Sequence, residues 1–366
     1  MSVSAATVER IDVLAYTIPT DAPEGDGTLQ WDSTTIVVVE AHAADRTGLG
    51  YTYADISTAK LIESKLAEVV KGQAVASPRA SWAAMVKATR NLGRSGITSM
   101  AIAAVDLALW DLHARLLDAP LCTVLGMAHD HVPVYGSGGF TTYTNDRLQE
   151  QLAGWSGQGI ARVKMKIGAH PNHDPERVRA AREAIGPDVE LFVDANGAYQ
   201  RKQALQLAHT FREESSVSWF EEPVSSDDLQ GLRLIRDRAP AGMAIAAGEY
   251  GYDAVYFRRM LDAGAVDVLQ ADVTRCAGIT ELLRIAGLCR AHNLPLSCHC
   301  GPAIHVHPAC AIDELIHLEY FHDHTRIEEM LLDGLPELRE GALWPDLDQP
   351  GNGLSLRRSD AERFSV

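Results

Sequence analysis

Positive charge is what this chain is short of. Its 33 Lys and Arg stand against 49 Asp and Glu, a formal net charge of −16. Nucleic acid and anionic membranes are gripped by clustered cations, so neither is expected as a partner. Apolar runs of membrane-spanning length are missing as well, and residues 1–13 lack a charged-then-apolar leader pattern. The six cysteines show no framework spacing, which argues against a disulfide scaffold and for a reduced, cytoplasmic protein. Cys298-His299-Cys300 has the residue types of a zinc site. A strand, however, would send both thiols to one side and the imidazole to the other, and no second Cys pair completes a tetrahedron. What is present, 46% hydrophobic and 22% charged residues, is ordinary for a globular protein.

The 366 residues suffice for one large domain and a smaller one. Residues 11–18 and 34–42 alternate or run apolar and β-branched and read as strands, with 48–53 as a third. Asp21, Pro23, Gly25 and Gly27 predict a loop over 20–31 between the first two. Helical patterns follow at about 57–71, 78–92 and 98–117. The last is nearly all small or apolar through Trp110, as suits a buried helix at a domain junction. After 121–130 the rhythm changes. Short apolar runs at 132–136, 162–167, 190–194, 217–221, 243–248, 266–272, 294–299 and 316–320 alternate with amphipathic segments. Eight such repeats predict a parallel α/β barrel, with its chemistry at the carboxyl ends of the strands. An open doubly wound sheet is the alternative, but no Gly-x-Gly-x-x-Gly follows the first of these strands to support it.

Ionisable residues occupy those strand ends. The second run carries Lys164 and Lys166, the third ends in Asp194-Ala195-Asn196, the fourth in Glu221-Glu222-Pro223 and the fifth in Gly248-Glu249. Asp272, His299 and Glu319 end the sixth, seventh and eighth. Lysines two apart share one face of a strand, and neighbouring ammonium groups lower each other's pKa, which makes a usable base. Taken singly, each element has a plainer reading: a solvated Lys-x-Lys, or a carboxylate capping a helix. Three consecutive ends bearing carboxylates point instead to one cavity. Burying them together unpaired would be very costly, so a hard dication, magnesium or manganese, is the natural counter-charge.

In order, Lys164-x-Lys166, Asp194-x-Asn196, Glu221-Glu222-Pro223, Glu249, the Asp272 and His299 pair and Glu319 resemble the enolase superfamily, specifically its mandelate racemase subgroup. The resemblance covers essentially the whole chain. The muconate-lactonizing branch carries a lysine on the sixth strand, where this chain has Gln270-Ala271-Asp272-Val273. The resemblance implies a modified TIM barrel, (β/α)7β, with an N-terminal α+β capping domain. The boundaries expected are 1–127 for the cap, 128–330 for the barrel, and 331–366 for a C-terminal segment packing back on the cap. It implies Mg2+ (Mn2+ as the substitute) held by Asp194, Glu221 and Glu249, with Glu222 outside the ligand set. Lys166 would take the proton α to a carboxylate, and Lys164 would stabilise the enediolate so formed. His299, oriented by Asp272, would face Lys166 across the cavity. A protonated Glu319 would donate a hydrogen bond to the intermediate, and Asn196 would orient substrate.

A lysine and a histidine on opposite faces serve two outcomes. If both exchange the α-proton, the enzyme is a racemase or epimerase. If His299 instead protonates a departing β-hydroxyl, it is a dehydratase giving a 2-keto-3-deoxy acid. A polar rim of Tyr143, Arg275, His305, His307, His322 and His324 favours a sugar acid and dehydration. The 20–31 loop and the turn near 51–53 are expected to close over the barrel mouth, bringing Trp31 or Tyr51 to the substrate. Homo-oligomerisation is expected from the apolar 98–112 stretch and from the resemblance. Two other classes compete. His305-x-His307 and His322-x-His324 suggest a zinc amidohydrolase, although Val134-Tyr135-Gly136 lacks the His-x-His such enzymes carry on their first strand. A non-catalytic barrel would have lost some of the strand-end charges.

Overall fold

In the computed structural model, which describes residues 6–366, an antiparallel sheet comes first. It consists of β1 (Arg10–Gly25), β2 (Gln30–Ala43) and β3 (Arg46–Tyr53), in that order. The loop expected over 20–31 is corrected: pairing breaks after Pro19 and resumes with Glu24 opposite Trp31, so the turn is only residues 26–29. Pro19 and Pro23 are tolerated because β1 is an edge strand and owes no donor to a further neighbour. Asp26 closes the turn, its Oδ1 accepting from the Thr28 and Leu29 amides at 2.6 and 2.7 Å.

The helix Ile97–Leu116 packs on this sheet. Glycine makes the approach possible. A Cβ on Gly48 would sit 2.3 Å from the Ala108 carbonyl, and one on Gly50 would sit 2.4 Å from that of Ala104. By length and composition this helix could cross a membrane, which corrects the expectation that no such run exists; here its surface is buried in protein. Its other side ties the cap to the barrel. Trp110 Nε1 donates to Thr280 Oγ1 at 2.9 Å, and buried Asp106 accepts from the Thr280 amide and hydroxyl at 2.9 and 2.7 Å.

The barrel is the predicted one. Its strands are β4 (Val132–Gly138), β5 (Arg162–Lys166), β6 (Glu190–Asp194), β7 (Val217–Glu221), β8 (Ala244–Ala247), β9 (Val268–Ala271), β10 (Leu296–Cys298) and β11 (Leu315–Phe321). All neighbours are parallel, and β11 pairs back with β4, Leu318 opposite Val134, closing the ring. A helix follows each strand, the last being His322–Leu331. Beyond it, the hairpin Glu337–Arg339 and Ala342–Trp344 adds antiparallel to β4. The final residues reach the cap, where the Val366 amide donates to the Ala15 carbonyl at 3.1 Å and Arg358 meets Glu40.

The strand period of two builds the barrel interior in layers. Tyr135, Phe192 and Trp219 form an aromatic layer, with Phe192 and Trp219 stacked at 5.1 Å between centroids. Two residues further along the same strands stand Asp194 and Glu221. Register places Lys166 beside Asp194 and Asp194 beside Glu221. The charged layer therefore lies on an apolar layer, toward the strands' carboxyl ends.

Candidate active site

Above that layer is a cavity of about 420 Å3, lined by strand ends on one side and the β1–β2 hairpin on the other. Glu249 lines it; Asp194, Glu221 and Glu249 are all buried, and one oxygen of each lies within 4.8 Å of the others. Lys164 Nζ lies 2.7 and 2.8 Å from the two Glu221 oxygens, 2.8 Å from Glu319 Oε1 and 3.5 Å from Asp194 Oδ2. Lys166 Nζ donates to Asp194 Oδ2 at 2.5 Å. The expectation of depressed lysine pKa values is corrected by these neighbours. Burial does lower both, but Glu221 and Glu319 around Lys164, and Asp194 beside Lys166, more than offset it, so both are raised.

The carboxylates answer to the same competition. Glu221 is pushed up to about 8, first by burial and then by the charge of Asp194. Burial would also raise Glu249, yet His299 and Arg275 hold it well below the usual range. Glu319 is likewise held low: Lys164 and then His299 outweigh its burial. Its Oε1 accepts from Ser137 Oγ and meets Lys164 Nζ at 2.8 Å, and its Oε2 accepts from the Cys300 amide at 3.1 Å. Arg326, seven residues on, is not among its partners; it pairs with Asp323 at 2.6 Å and donates to the Pro19 carbonyl. Glu222 does not follow strand parity. It has φ 38, is buried, and is raised by burial and then by Glu249 and Asp194, so it is a fourth carboxylate beside the cluster.

Six buried carboxylates (Asp194, Glu221, Glu222, Glu249, Asp272 and Glu319) thus face Lys164, Lys166, Arg275 and His299. Carboxyl groups outnumber the cations six to four, and Glu221 and Glu222 are the two pushed toward the neutral form. Asn196 Oδ1 is also buried with no hydrogen bond, and Glu249 Oε2 meets only His299 Nε2, at 3.2 Å. A hard dication with oxygen ligands fits this donor set on charge and on chemistry.

His299 Nδ1 lies 2.9 Å from Asp272 Oδ2, while the other Asp272 oxygen accepts from the Thr274 amide and hydroxyl at 2.7 Å each. Asp272 thus caps the turn and orients the imidazole at once. Burial disfavours the charged ring, but Cys300, Glu249, Glu319 and Asp272 together raise His299 well above its usual range. Lys166 and His299 both line the cavity.

Of the expected substrate contacts, Trp31, Asn196, Arg275 and His324 line this cavity. Tyr51, Tyr143 and His322 do not, and each has a physical reason. Tyr51 is fully buried with its hydroxyl donating to Glu328 Oε1 at 2.6 Å. Tyr143 packs edge-on against Phe140 under the guanidinium of Arg147. His322 turns outward to Asp21, 3.2 Å away. His305 and His307 are not rim residues either; buried, they accept from the Val273 and Cys122 amides. They do not converge with His322 and His324 as a zinc hydrolase would need. His324 stacks on Tyr53 at 3.4 Å and is pushed down to about 3 by burial.

Three contributions escaped sequence reasoning. Tyr53 lines the cavity where Tyr51 was expected, because it stands two residues nearer the strand end on the same face. Ser33, Thr34 and Thr35 line it from β2, whose strand is expected from the sequence only over 34–42 and with no site role. Cys300 has φ 53, so chain alternation fails there and its Sγ comes to 3.3 Å from His299 Nε2. This corrects the expectation that thiol and imidazole face apart.

Comparison with known proteins agrees with this geometry. Residues 147–361 match the family described as enolase C-terminal domain-like, and residues 23–126 match the mandelate racemase/muconate lactonizing enzyme N-terminal domain. An L-rhamnonate dehydratase of Saccharopolyspora erythraea is 35% identical over 260 residues, 70% of this chain and 65% of that protein. Among solved structures, a mandelate racemase/muconate lactonizing enzyme-like protein from Rubrobacter xylanophilus is 59% identical with a TM-score of 0.97, covering 98% of this chain and 100% of that one. A racemase from Streptomyces coelicolor, solved with bound magnesium, is 28% identical with a TM-score of 0.92 over 98% and 100% of the two chains. The chain therefore belongs to the mandelate racemase subgroup of the enolase superfamily.

Proposed function

We propose that this protein is a magnesium-dependent sugar-acid dehydratase. In this reading Lys166 removes the proton α to the carboxylate, and His299 helps the β-hydroxyl leave as water, giving a 2-keto-3-deoxy acid. The observation that carries it is the meeting of Asp194, Glu221 and Glu249 within 4.8 Å of one another, with Glu249 lining the same cavity as Lys166 and His299. Those three carboxylates would hold the cation, with manganese as a substitute. When bound, it supplies counter-charge to the substrate carboxylate and to the negative charge that develops on its oxygens.

The chain's own residues do the rest. With Asp194 and Glu249 committed as ligands, two of the three charges that raise Lys166 are taken up, leaving Glu319 against burial and Lys164, which both lower it. The Nζ of Lys166 can then be neutral and accept a proton. Lys164, wedged between Glu221 and Glu319, places fixed positive charge beside the site where the enediolate forms. Asp272 holds the His299 ring by Nδ1, which leaves Nε2 toward the cavity as the proton donor to the leaving hydroxyl. Asn196 and the hydroxyls of Ser33, Thr34 and Thr35 suit a substrate with several hydroxyl groups.

The dehydratase relative from Saccharopolyspora erythraea supports this choice. The Streptomyces coelicolor racemase supports a second reading, in which Lys166 and His299 both exchange the α-proton. A screen of mono- and diacid sugars for 2-keto-acid release decides between them. Dehydration is expected to release keto acid from at least one sugar acid, whereas α-proton exchange into deuterated water without keto acid would establish the racemase instead.

A further inference from the structure

The left-handed turn at Cys300 assembles a second set of metal-ligating groups beside the carboxylate cluster. Cys300 Sγ lies 3.3 Å from His299 Nε2 and 3.3 Å from Glu319 Oε2, and His299 Nε2 lies 3.7 Å from Glu319 Oε2. All three residues are buried, and their ligand atoms lie within 4.8 Å of one another. A tetrahedral zinc with Zn–S of about 2.3 Å and Zn–N or Zn–O of about 2.0–2.2 Å separates its ligands by roughly 3.3–3.6 Å. The two separations from Cys300 Sγ fall at that spacing, and the third, 3.7 Å, lies just beyond it. The ring is held as well: zinc-binding histidines engage a carboxylate through the other nitrogen, and His299 Nδ1 does so with Asp272 at 2.9 Å. His299 and Cys300 also line the cavity, which offers a path of entry and room for a fourth ligand.

We propose that His299 Nε2, Cys300 Sγ and Glu319 Oε2 form a binding site for zinc or a similarly thiophilic dication, adjoining the oxygen-only site of Asp194, Glu221 and Glu249, whose Glu249 Oε2 lies 3.2 Å from His299 Nε2. On binding, the Cys300 thiol gives its proton to solvent and an S–metal bond forms; nothing is oxidised. The two sites sort cations by softness, since thiolate and imidazole favour zinc while carboxylates alone favour magnesium. Zinc there takes the imidazole nitrogen facing the cavity, so the ion acts as an inhibitor built into the site. Its occupancy does not depend on which reaction the enzyme runs.

The test adds one equivalent of cobalt(II) to the full chain saturated with magnesium. A thiolate-to-cobalt charge-transfer band in the near ultraviolet is expected, displaced by zinc and lost in Cys300→Ser, with zinc affinity at least roughly ten-fold weaker in that variant. Absence of the band in the parent, or its survival in Cys300→Ser, would overturn the proposal. Should the variant fold poorly, zinc-edge X-ray absorption on the parent decides alone. One sulfur at about 2.3 Å is expected, and a shell of light atoms only would refute the site.

Discussion

At the residue scale the site is a contest between burial and charge. Opposite charges outweigh burial at Lys166, His299 and Glu319, whereas at Glu221 burial and Asp194 outweigh Lys164. Lys166→Ala and His299→Asn should therefore each lower 2-keto-acid release by about 10²-fold or more, the usual contribution of a positioned acid or base. Full-rate turnover by either variant would remove that residue from the mechanism. Tyr51 tests the opposite assignment. Its hydroxyl serves Glu328, which burial pushes up to about 8. Tyr51→Phe should leave KM unchanged and cost about 1–3 kcal/mol of stability in a denaturant titration, by leaving a buried acceptor short of a donor. A raised KM with unaltered stability would return Tyr51 to the substrate. Strand-end residue types were legible in the chain because metal and base positions recur once per repeat. The hydrogen-bond partners of Glu319 and the positions of Tyr143 and His322 were not, since each depends on neighbours far away in sequence.

At the element scale, turns that break strand parity do much of the positioning. Gly248 has φ 141, and a Cβ on it would sit 2.0 Å from the Gln270 carbonyl on the next strand. Gly248→Ala must push the end of β8 aside and carry Glu249 with it. Magnesium affinity by calorimetry should fall at least roughly ten-fold, a loss of the size seen when a ligand's support is removed; unchanged affinity would mean that Glu249 is not needed. The β1–β2 hairpin makes a different prediction. Glu24 is fully buried with Trp31 Nε1 donating to its Oε2 at 2.8 Å, and burial, then Asp323, push it up from 4.5 to about 8. The folded state thus holds a proton that the unfolded chain gives up above 4.5. Stability should be fully present below that pH and drain away as pH rises toward 8. Glu24→Gln, still an acceptor for Trp31, should flatten this part of the Tm-against-pH profile; an identical slope in the variant would show that Glu24 ionises freely. The hairpin itself was hidden in the sequence, because Pro, Gly and Asp signal a loop and only the edge position of β1 lets a strand absorb them.

At the scale of the whole molecule, the cap and the barrel make one cavity from two separately patterned parts. The barrel was readable because eight repeats each carry the same signal, an apolar run ending in an ionisable residue. The cap's contribution was not, since Ser33, Thr34, Thr35 and Tyr53 acquire their role only when the sheet lies over the strand ends. Asp194, Glu221 and Glu249 come from three adjacent strands and are apart in the unfolded chain, so folding itself builds the cation site. The central claim is that these carboxylates hold a hard dication without which the α C–H bond does not break. The most direct measurement follows that bond by NMR in deuterated water, with the sugar acid that the screen identifies and protein first stripped by a chelator. Loss of the α-proton signal is expected only after magnesium is restored, and Asp194→Asn is expected to stay inactive at magnesium concentrations that saturate the parent. Breakage of that bond at the full rate in stripped protein, or in Asp194→Asn, would contradict the account.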